Sequence, residues 1–481
     1  MYILLLIILG LALRLINIDK PEGLWNDEYV SWFVASTPFK EDFLGEILKQ
    51  CHMPLYYFYL KPFSECSDLV LRLTSVIPSL IAIPIMFLVG KEFSKKCGYI
   101  CAGITATLPF LIYYSQEVRF YSLLFLFSAI SLLFLVRIIK GENRWLGFGI
   151  SSALILLTHV LGILYVGFSL AYIAYKKNKL SKKIIFSIIL AGLIILPLGT
   201  NILKMLPSSQ WWGHFSYTNI LFLFSDYLSP ILTNNVNAPN VFFYSKNMLF
   251  LTLITIPTLL GSLAIIRGGK QAKGLSLIAL STVFITAILA LSGKLVFITK
   301  YTIEILPILI LLLSLGIKGR IGSLVLSIFI AFQLFSVFTP YYPAKIYRSE
   351  GHKLVADVLN KVDSSKIIFT YYDVKRFEKY LNKDADFLHI SKINRFEYIE
   401  APERILDNIK KDEVISVVFL DSVSFIPDFW IEDAKSKQVP EMFITFSIIR
   451  NKLTQKIKEN YTDIDITKTG SWTVISAKKL R

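Results

Sequence analysis

About eleven apolar segments follow one another between residues 1 and 338, and they limit the folds that this chain can adopt. A bilayer core needs about 20 apolar helical residues per span, because a helix hydrogen-bonds its own backbone there. Hydrophobic residues make up 54% of the chain and charged residues 18%, which is too apolar for a soluble protein. The sequence therefore predicts a polytopic α-helical membrane protein. The predicted spans are 1–18, 69–90, 99–114, 119–137, 145–158, 160–175, 184–204, 248–266, 274–292, 301–317 and 321–338.

The charges between these segments predict the orientation of the chain. Its formal net charge of +16 would suggest nucleic acid in a soluble protein, but much of the basic excess lies in short loops between apolar segments. Such loops are typically cytoplasmic, so this pattern indicates membrane orientation and no nucleic-acid partner. If both loops that bound an interval are cytoplasmic, the chain must cross the membrane an even number of times between them. Residues 145–175, which are flanked by basic loops, are therefore predicted to form a hairpin.

The same orientation places the unusual polar residues of the membrane part on the outer side. They are Asp27, Glu28, His52, Glu117, Arg119, His159 and Lys300. Carboxylates close to a bilayer are costly unless they are solvated or paired, so the adjacent pair Asp27 and Glu28 indicates a functional site. Simpler interpretations stay open at this point: a solvated loop for the acidic pair, and snorkelling at helix ends for Arg119 and Lys300.

The composition changes to that of a soluble domain from Tyr341 onward. Helical patterns at 353–361 and 448–460 alternate with strand patterns at 366–371 and 414–420. This alternation predicts a small α/β domain. The predicted domains are therefore a membrane module at 1–340 and a soluble domain at 341–481. Because the chain starts in the cytoplasm and crosses the membrane an odd number of times, the soluble domain is predicted to be extracytoplasmic.

Four motifs in the membrane part together resemble those of one family. They are Arg14 with Leu24-Trp25-Asn26-Asp27-Glu28, then His52-Met53-Pro54-Leu55-Tyr56-Tyr57, then Ser115-Gln116-Glu117-Val118-Arg119-Phe120-Tyr121-Ser122-Leu123, and finally Lys300-Tyr301. The chain is similar to the glycosyltransferases of the GT-C fold that use lipid-linked sugars, among them protein O-mannosyltransferases and lipid A aminoarabinose transferases. Two positions depart from the family pattern, since Met53 replaces a common proline and Lys300 stands where arginine is more usual.

The resemblance implies a GT-C fold and a sugar transfer from a polyprenyl-phosphate donor. On this basis Asp27 is the expected base that activates the acceptor hydroxyl. Glu28 is expected to assist, to orient the acceptor or to bind a metal ion. Arg119, Lys300 and Tyr301 are expected to bind the donor phosphate, because Arg offers a fork of donors and Lys a mobile point charge. The remaining predicted pocket residues are Arg14, His52 and Glu117.

The expected activity is that of a hexosyl or pentosyl transferase in the cell membrane, with its active site on the extracytoplasmic side. Its expected partners are the lipid-linked donor, the bilayer, and a protein, lipid or polysaccharide acceptor. The histidines lack the paired spacing of a zinc site, so no structural metal is predicted, while a catalytic divalent cation stays an open alternative. Two alternative hypotheses remain: a flippase or transporter of lipid-linked sugars, and a non-catalytic membrane scaffold. The absence of an apparent inverted repeat in the sequence disfavours the transporter.

Overall fold

The computed structural model describes most of the membrane part and the main elements of the C-terminal part. The described residues are 1–19, 23–50, 53–177, 182, 185, 189, 192, 217–229, 248–292, 297–338, 352–362, 364, 366–369, 379–382, 386–389, 406–407, 409–411, 413–420, 453–469 and 472–480. Contacts divide the chain into two compact units. The first comprises Met1–Ile18 and Val30–Ile346, and the second comprises Asp19–Tyr29 and Tyr347–Arg481.

Helices form the described membrane part. They are α1 (Tyr2–Leu15), α2 (Asn26–Ser36), α3 (Phe43–Gln50), α4 (Leu55–Leu60), α5 (Asp68–Lys91), α6 (Lys95–Thr107), α7 (Pro109–Ser115), α8 (Tyr121–Ile139), α9 (Trp145–Thr158), α10 (Gly162–Lys177), α11 (Tyr217–Leu228), α12 (Met248–Gly269), α13 (Lys273–Leu291), α14 (Leu306–Gly316) and α15 (Gly319–Phe335). Short 3₁₀ segments lie at Phe39–Glu41, Lys61–Phe63, Thr299–Ile305 and Ser336–Phe338.

These helices make the chain a multi-pass membrane protein. In the described residues, six helices are long and apolar enough to cross a bilayer, or seven if the bent pair α6 and α7 counts as one span. The apolar helices α1 and α9 are shorter, at 14 residues each. The predicted span 184–204 lies outside the described residues except at isolated positions, so the count of eleven stays a prediction.

Two predicted spans are less regular than their apolar composition indicates. The segment 99–114 is bent by 53° between α6 and α7. Pro109 explains the bend, because proline has no N–H to donate and disfavours helical geometry in the preceding residue. The segment 301–317 begins with a 3₁₀ turn, Thr299–Ile305, in which Thr302 has non-helical backbone angles, and becomes α-helical only from Leu306.

The C-terminal part of the second unit is built around a mixed five-stranded sheet. Its strands are β1 (Lys366–Phe369), β2 (Asp386–His389), β3 (Val414–Leu420), β4 (Tyr461–Thr469) and β5 (Trp472–Lys479). They lie in the order β2-β1-β3-β5-β4. β1 is parallel to both β2 and β3, whereas β5 is antiparallel to β3 and β4. Helix α16 (His352–Lys361) precedes the sheet, whose buried core includes Ile368, Val417 and Ile475.

Candidate functional site

The predicted acidic pair lies in the first turn of α2. The side chain of Glu28 is buried, and its Oε2 accepts a hydrogen bond from the backbone N–H of Trp25 at 3.2 Å. This is one half of a capping box, in which the third residue of a helix is an acid whose side chain accepts a hydrogen bond from the backbone N–H of the residue that precedes the helix. Asp27 is half-buried. Glu28 therefore stabilises the start of the helix that carries Asp27.

The loop before α2 belongs to the second unit, where it contacts the C-terminal part. The N–H of Leu24 donates to the hydroxyl of Tyr380 at 2.9 Å. Gly23 has a φ of +81°, which favours glycine, and a Cβ at this position would lie 2.6 Å from the Cβ of Lys353. The acidic motif is thus preceded by a turn whose geometry depends on these two contacts.

Arg119 lies in the turn between α7 and α8, and its side chain is only 4% exposed. Its Nη1 donates to the hydroxyl of Ser31 at 3.2 Å, and its guanidinium carbon lies 5.4 Å from the ring centroid of Phe120. The backbone carbonyl of Arg119 accepts from Ser75 at 3.3 Å.

Lys300 and Tyr301 extend this group from the 3₁₀ turn Thr299–Ile305. The Nζ of Lys300 lies 5.7 Å from the ring centroid of Tyr121 and 5.6 Å from that of Tyr301. Phe120 and Tyr121 are themselves in contact, with ring centroids 4.5 Å apart. The two predicted phosphate-binding cations therefore contact neighbouring rings, and we call Arg119, Phe120, Tyr121, Lys300 and Tyr301 the cationic aromatic cluster.

His159 packs against this cluster from the turn between α9 and α10. Its ring stacks on Phe120, with centroids 5.1 Å apart, and on Tyr301, with centroids 5.7 Å apart. Burial, with the nearby charge of Arg119 as a second cause, lowers the pKa of His159 to about 3. A neutral imidazole adds no further positive charge beside Arg119. The sequence analysis placed His159 among the polar residues of the outer side without assigning it a role, whereas the structure shows that His159 stacks on both Phe120 and Tyr301.

Buried hydrogen bonds from α11 fix the turn that carries Lys300. The carboxylate of Asp226 accepts from the Thr299 hydroxyl at 2.8 Å, and the hydroxyl of Tyr227 donates to the Thr299 carbonyl at 3.1 Å. Tyr227 also shares a hydrogen bond of 2.7 Å with the hydroxyl of Thr302. These contacts compensate for the irregular backbone at Thr302. Asp226 and Tyr227 thus position Lys300 and Tyr301.

Arg14, predicted as a pocket residue, stabilises the bend between α6 and α7. Its guanidinium donates to Ser79 at 2.9 Å, to the carbonyl of Ala106 at 3.0 Å and to that of Thr105 at 3.1 Å. The Thr105 carbonyl would bond to the N–H of residue 109 in a continuous helix, but Pro109 has none. Arg14 thus satisfies carbonyls released by the bend, which favours a structural role over a place in a substrate pocket.

The structure describes one of the other two predicted pocket residues, Glu117, but not His52. Glu117 is buried within the turn that carries Arg119, and its carbonyl accepts from the Arg119 N–H at 2.7 Å. His52 lies outside the described residues. In the described part of the chain, no three His, Cys, Asp or Glu side chains are close enough to bind one metal ion.

Glu304 is an acid in the bundle that the sequence analysis missed. It is fully buried, and neither carboxylate oxygen has a hydrogen-bond partner in the part of the chain that the structure describes. The signal was present in the sequence, because a carboxylate inside an apolar span is a functional-site candidate by default. Ser31 and Asp226 carried no comparable signal, since their importance depends on contacts between distant helices.

Comparisons with known proteins agree with the motifs. Residues 54–199 match the family model described as dolichyl-phosphate-mannose-protein mannosyltransferase. No curated protein sequence matches the chain.

Two solved structures have a similar fold. The crystal structure of ArnT from Cupriavidus metallidurans in the apo state has a TM-score of 0.55 at 9% identity, over 99% of this chain and 97% of that chain. The same protein bound to undecaprenyl phosphate has a TM-score of 0.52 at 10% identity, over 99% and 98% of the two chains. The GT-C fold predicted from the motifs is therefore confirmed.

Proposed function

We propose that this chain is an integral membrane glycosyltransferase that transfers a hexose or pentose from a polyprenyl-phosphate donor to an extracytoplasmic acceptor. The observation that carries the proposal is the cationic aromatic cluster, in which Arg119 and Lys300 contact the neighbouring rings of Phe120 and Tyr121. A further support is that Arg119 and Phe120 lie inside the segment that matches the mannosyltransferase model.

The proposed reaction is a single displacement at the anomeric carbon. The acceptor hydroxyl oxygen forms a bond to that carbon while the bond from the carbon to the phosphate oxygen breaks. Asp27 accepts the hydroxyl proton, and the electron pair of the broken bond leaves with the polyprenyl phosphate. This route inverts the configuration of the sugar. Glu28 is proposed to support Asp27 by fixing the start of α2.

The cations are proposed to stabilise the negative charge that the leaving phosphate gains. Arg119 offers a planar fork of donors, and its contact with Ser31 orients that fork. Lys300 offers a point charge, and Tyr301 a neutral donor. Groups that are oriented before the reaction stabilise developing charge without reorganising, which is often the largest contribution to catalysis. The turn Thr299–Ile305 is proposed to be rigid enough for this role because Asp226 and Tyr227 bind it.

The lipid part of the donor is proposed to lie in the bilayer beside the helices. The crystal structure of ArnT bound to undecaprenyl phosphate, which has a similar fold, supports a donor of this class. The C-terminal domain is proposed to lie outside the cell membrane and to select a protein, lipid or polysaccharide acceptor.

The test uses the purified full chain in vesicles that contain polyprenyl-phosphate sugars labelled in the sugar. We expect labelled sugar to pass to an acceptor fraction from the cell envelope while free polyprenyl phosphate accumulates in equal amount. Movement of intact labelled lipid between leaflets, with no bond broken, would instead identify a flippase. A chain that does neither with any donor in the panel would favour the scaffold reading.

A further inference from the structure

A groove between α6 and α15 shares no lining residue with the cationic aromatic cluster. It has a cavity volume of about 470 Å³. Its walls are aliphatic along most of their length, and two ammonium groups lie at one end. The residues that carry the argument are Lys95, Lys96, Ile100 and Ile104 on α6, and Leu326 and Ile330 on α15.

The interior of the groove has room for an apolar chain. Gly103 lines it, and a Cβ built on Gly103 would meet no atom within 4 Å. The neighbouring wall is fixed by Tyr99, whose ring centroid lies 5.9 Å from that of Tyr2 and 5.0 Å from that of Phe87. Helix α15 buries little of its surface in the protein, since only 22% of its most apolar stretch of 18 residues is buried. The groove therefore lies at the lipid-facing side of the bundle.

The charged end of the groove is formed by the first turn of α6. Lys95 and Lys96 are both exposed, and the Nζ of Lys96 lies 3.5 Å from the hydroxyl of Ser323 on α15. This contact orients Lys96 across the end of the groove. The basic loop that precedes α6 is predicted to be cytoplasmic, and the cytoplasmic leaflet is the one rich in anionic lipids.

We propose that this groove binds an anionic phospholipid of the membrane, with its phosphate at Lys95 and Lys96 and one acyl chain along Ile100, Gly103 and Ile104. A neutral phospholipid would leave the two ammonium groups without a counter-charge, and a soluble phosphate would leave the apolar walls uncovered. Basic pockets between membrane helices bind anionic headgroups on these grounds. The inference does not depend on the proposed function.

The test is lipid binding to the purified full chain, measured by native mass spectrometry with dioleoylphosphatidylglycerol and dioleoylphosphatidylcholine. We expect wild type to prefer the anionic lipid. The double variant Lys95→Gln/Lys96→Gln should bind it about 30-fold more weakly, at about 1 kcal/mol per lysine, and should bind the neutral lipid as wild type does. Gly103→Leu, which fills the apolar part, should weaken both lipids.

The matched control is Lys270→Gln/Lys273→Gln, which removes the same charge from two exposed lysines, one in the turn after α12 and one at the start of α13. It should leave the binding of the anionic lipid within about twofold of wild type. Equal binding of both lipids by wild type, or an equal loss in the control, would overturn the proposal. So would displacement of the lipid by glycerol phosphate at matched concentration, or stronger binding of undecaprenyl phosphate than of phosphatidylglycerol.

Discussion

The guanidinium of Arg119 donates a hydrogen bond to the hydroxyl of Ser31 at 3.2 Å, and this bond joins α2 to the residue predicted to bind phosphate. The proposed mechanism needs this guanidinium in place to stabilise the leaving phosphate. Replacement of Arg119 should therefore weaken the stabilisation of the donor phosphate without unfolding α2.

Arg119→Gln should lower kcat/KM for the lipid-linked donor by about 10- to 100-fold, because a hydrogen bond to a charged group contributes about 1.5–3 kcal/mol. Ser31→Ala should have a smaller effect, mainly on KM. The control is Arg137→Gln at the far end of α8, where Arg137 contacts Glu92 instead. An equal loss of kcat/KM in both Arg variants would contradict a phosphate role for Arg119.

Arg14→Met should lower the free energy of unfolding by about 3 kcal/mol, because the carbonyls of Thr105 and Ala106 lose a buried charged donor. The fraction that remains folded should keep its KM for the donor, in line with a structural role. Thermal unfolding in detergent and donor kinetics together measure this, and Arg320→Met at an exposed position is the control. A changed KM with unchanged stability would instead support the prediction that Arg14 lies in the substrate pocket.

His159 should make stability depend on pH below neutrality. The unfolded chain binds a proton at this residue below pH 6.5, whereas the folded chain does so only near pH 3, so stability should fall as the pH falls through this window. Between pH 7 and pH 5 the linked change is about 2 kcal/mol. Unfolding of wild type and His159→Gln across this range measures it. The same pH slope in both proteins would contradict a neutral buried His159.

Glu304→Gln should raise the unfolding temperature, because the variant keeps the shape of the side chain and avoids the cost of several kcal/mol of moving an ionisable carboxyl group from water to a buried position where neither oxygen has a partner among the described residues. Asp226→Asn is the contrasting variant and should lower stability by about 1 kcal/mol, since the carboxylate of Asp226 accepts from Thr299. Thermal unfolding of the two variants decides this. A less stable Glu304→Gln protein would show that the carboxyl group has a stabilising partner.

The sequence predicted the regular parts of the fold well, because apolar periodicity and Pro or Gly positions are local signals. The helix at Trp145–Thr158 and the strand at Val414–Leu420 have the bounds expected from the sequence. The bend at Pro109 and the 3₁₀ start at Thr299 were missed. Both depend on distant partners, Arg14 and Asp226, that satisfy the irregular backbone.

Within the candidate site, the motifs identified the cations but not the residues that position them. Arg119 and Lys300 were visible because they stand in motifs that resemble those of the family. His159 and Ser31 became candidates only through contacts with Phe120, Tyr301 and Arg119, which lie far away in sequence. The sequence suggested catalysis for both acids of the pair, and the hydrogen bond from Trp25 gives Glu28 a capping role as well.

The most direct test of the central claim is transfer of labelled sugar from polyprenyl-phosphate donors by wild type, Asp27→Asn and Asp19→Asn at matched expression. Asp19 is an exposed acid shortly before the acidic pair and serves as the control. We expect Asp27→Asn to lose transfer by at least about 100-fold, in the range of general-base contributions, and Asp19→Asn to retain it. Transfer by Asp27→Asn at the wild-type rate would contradict the assignment of Asp27 as the base.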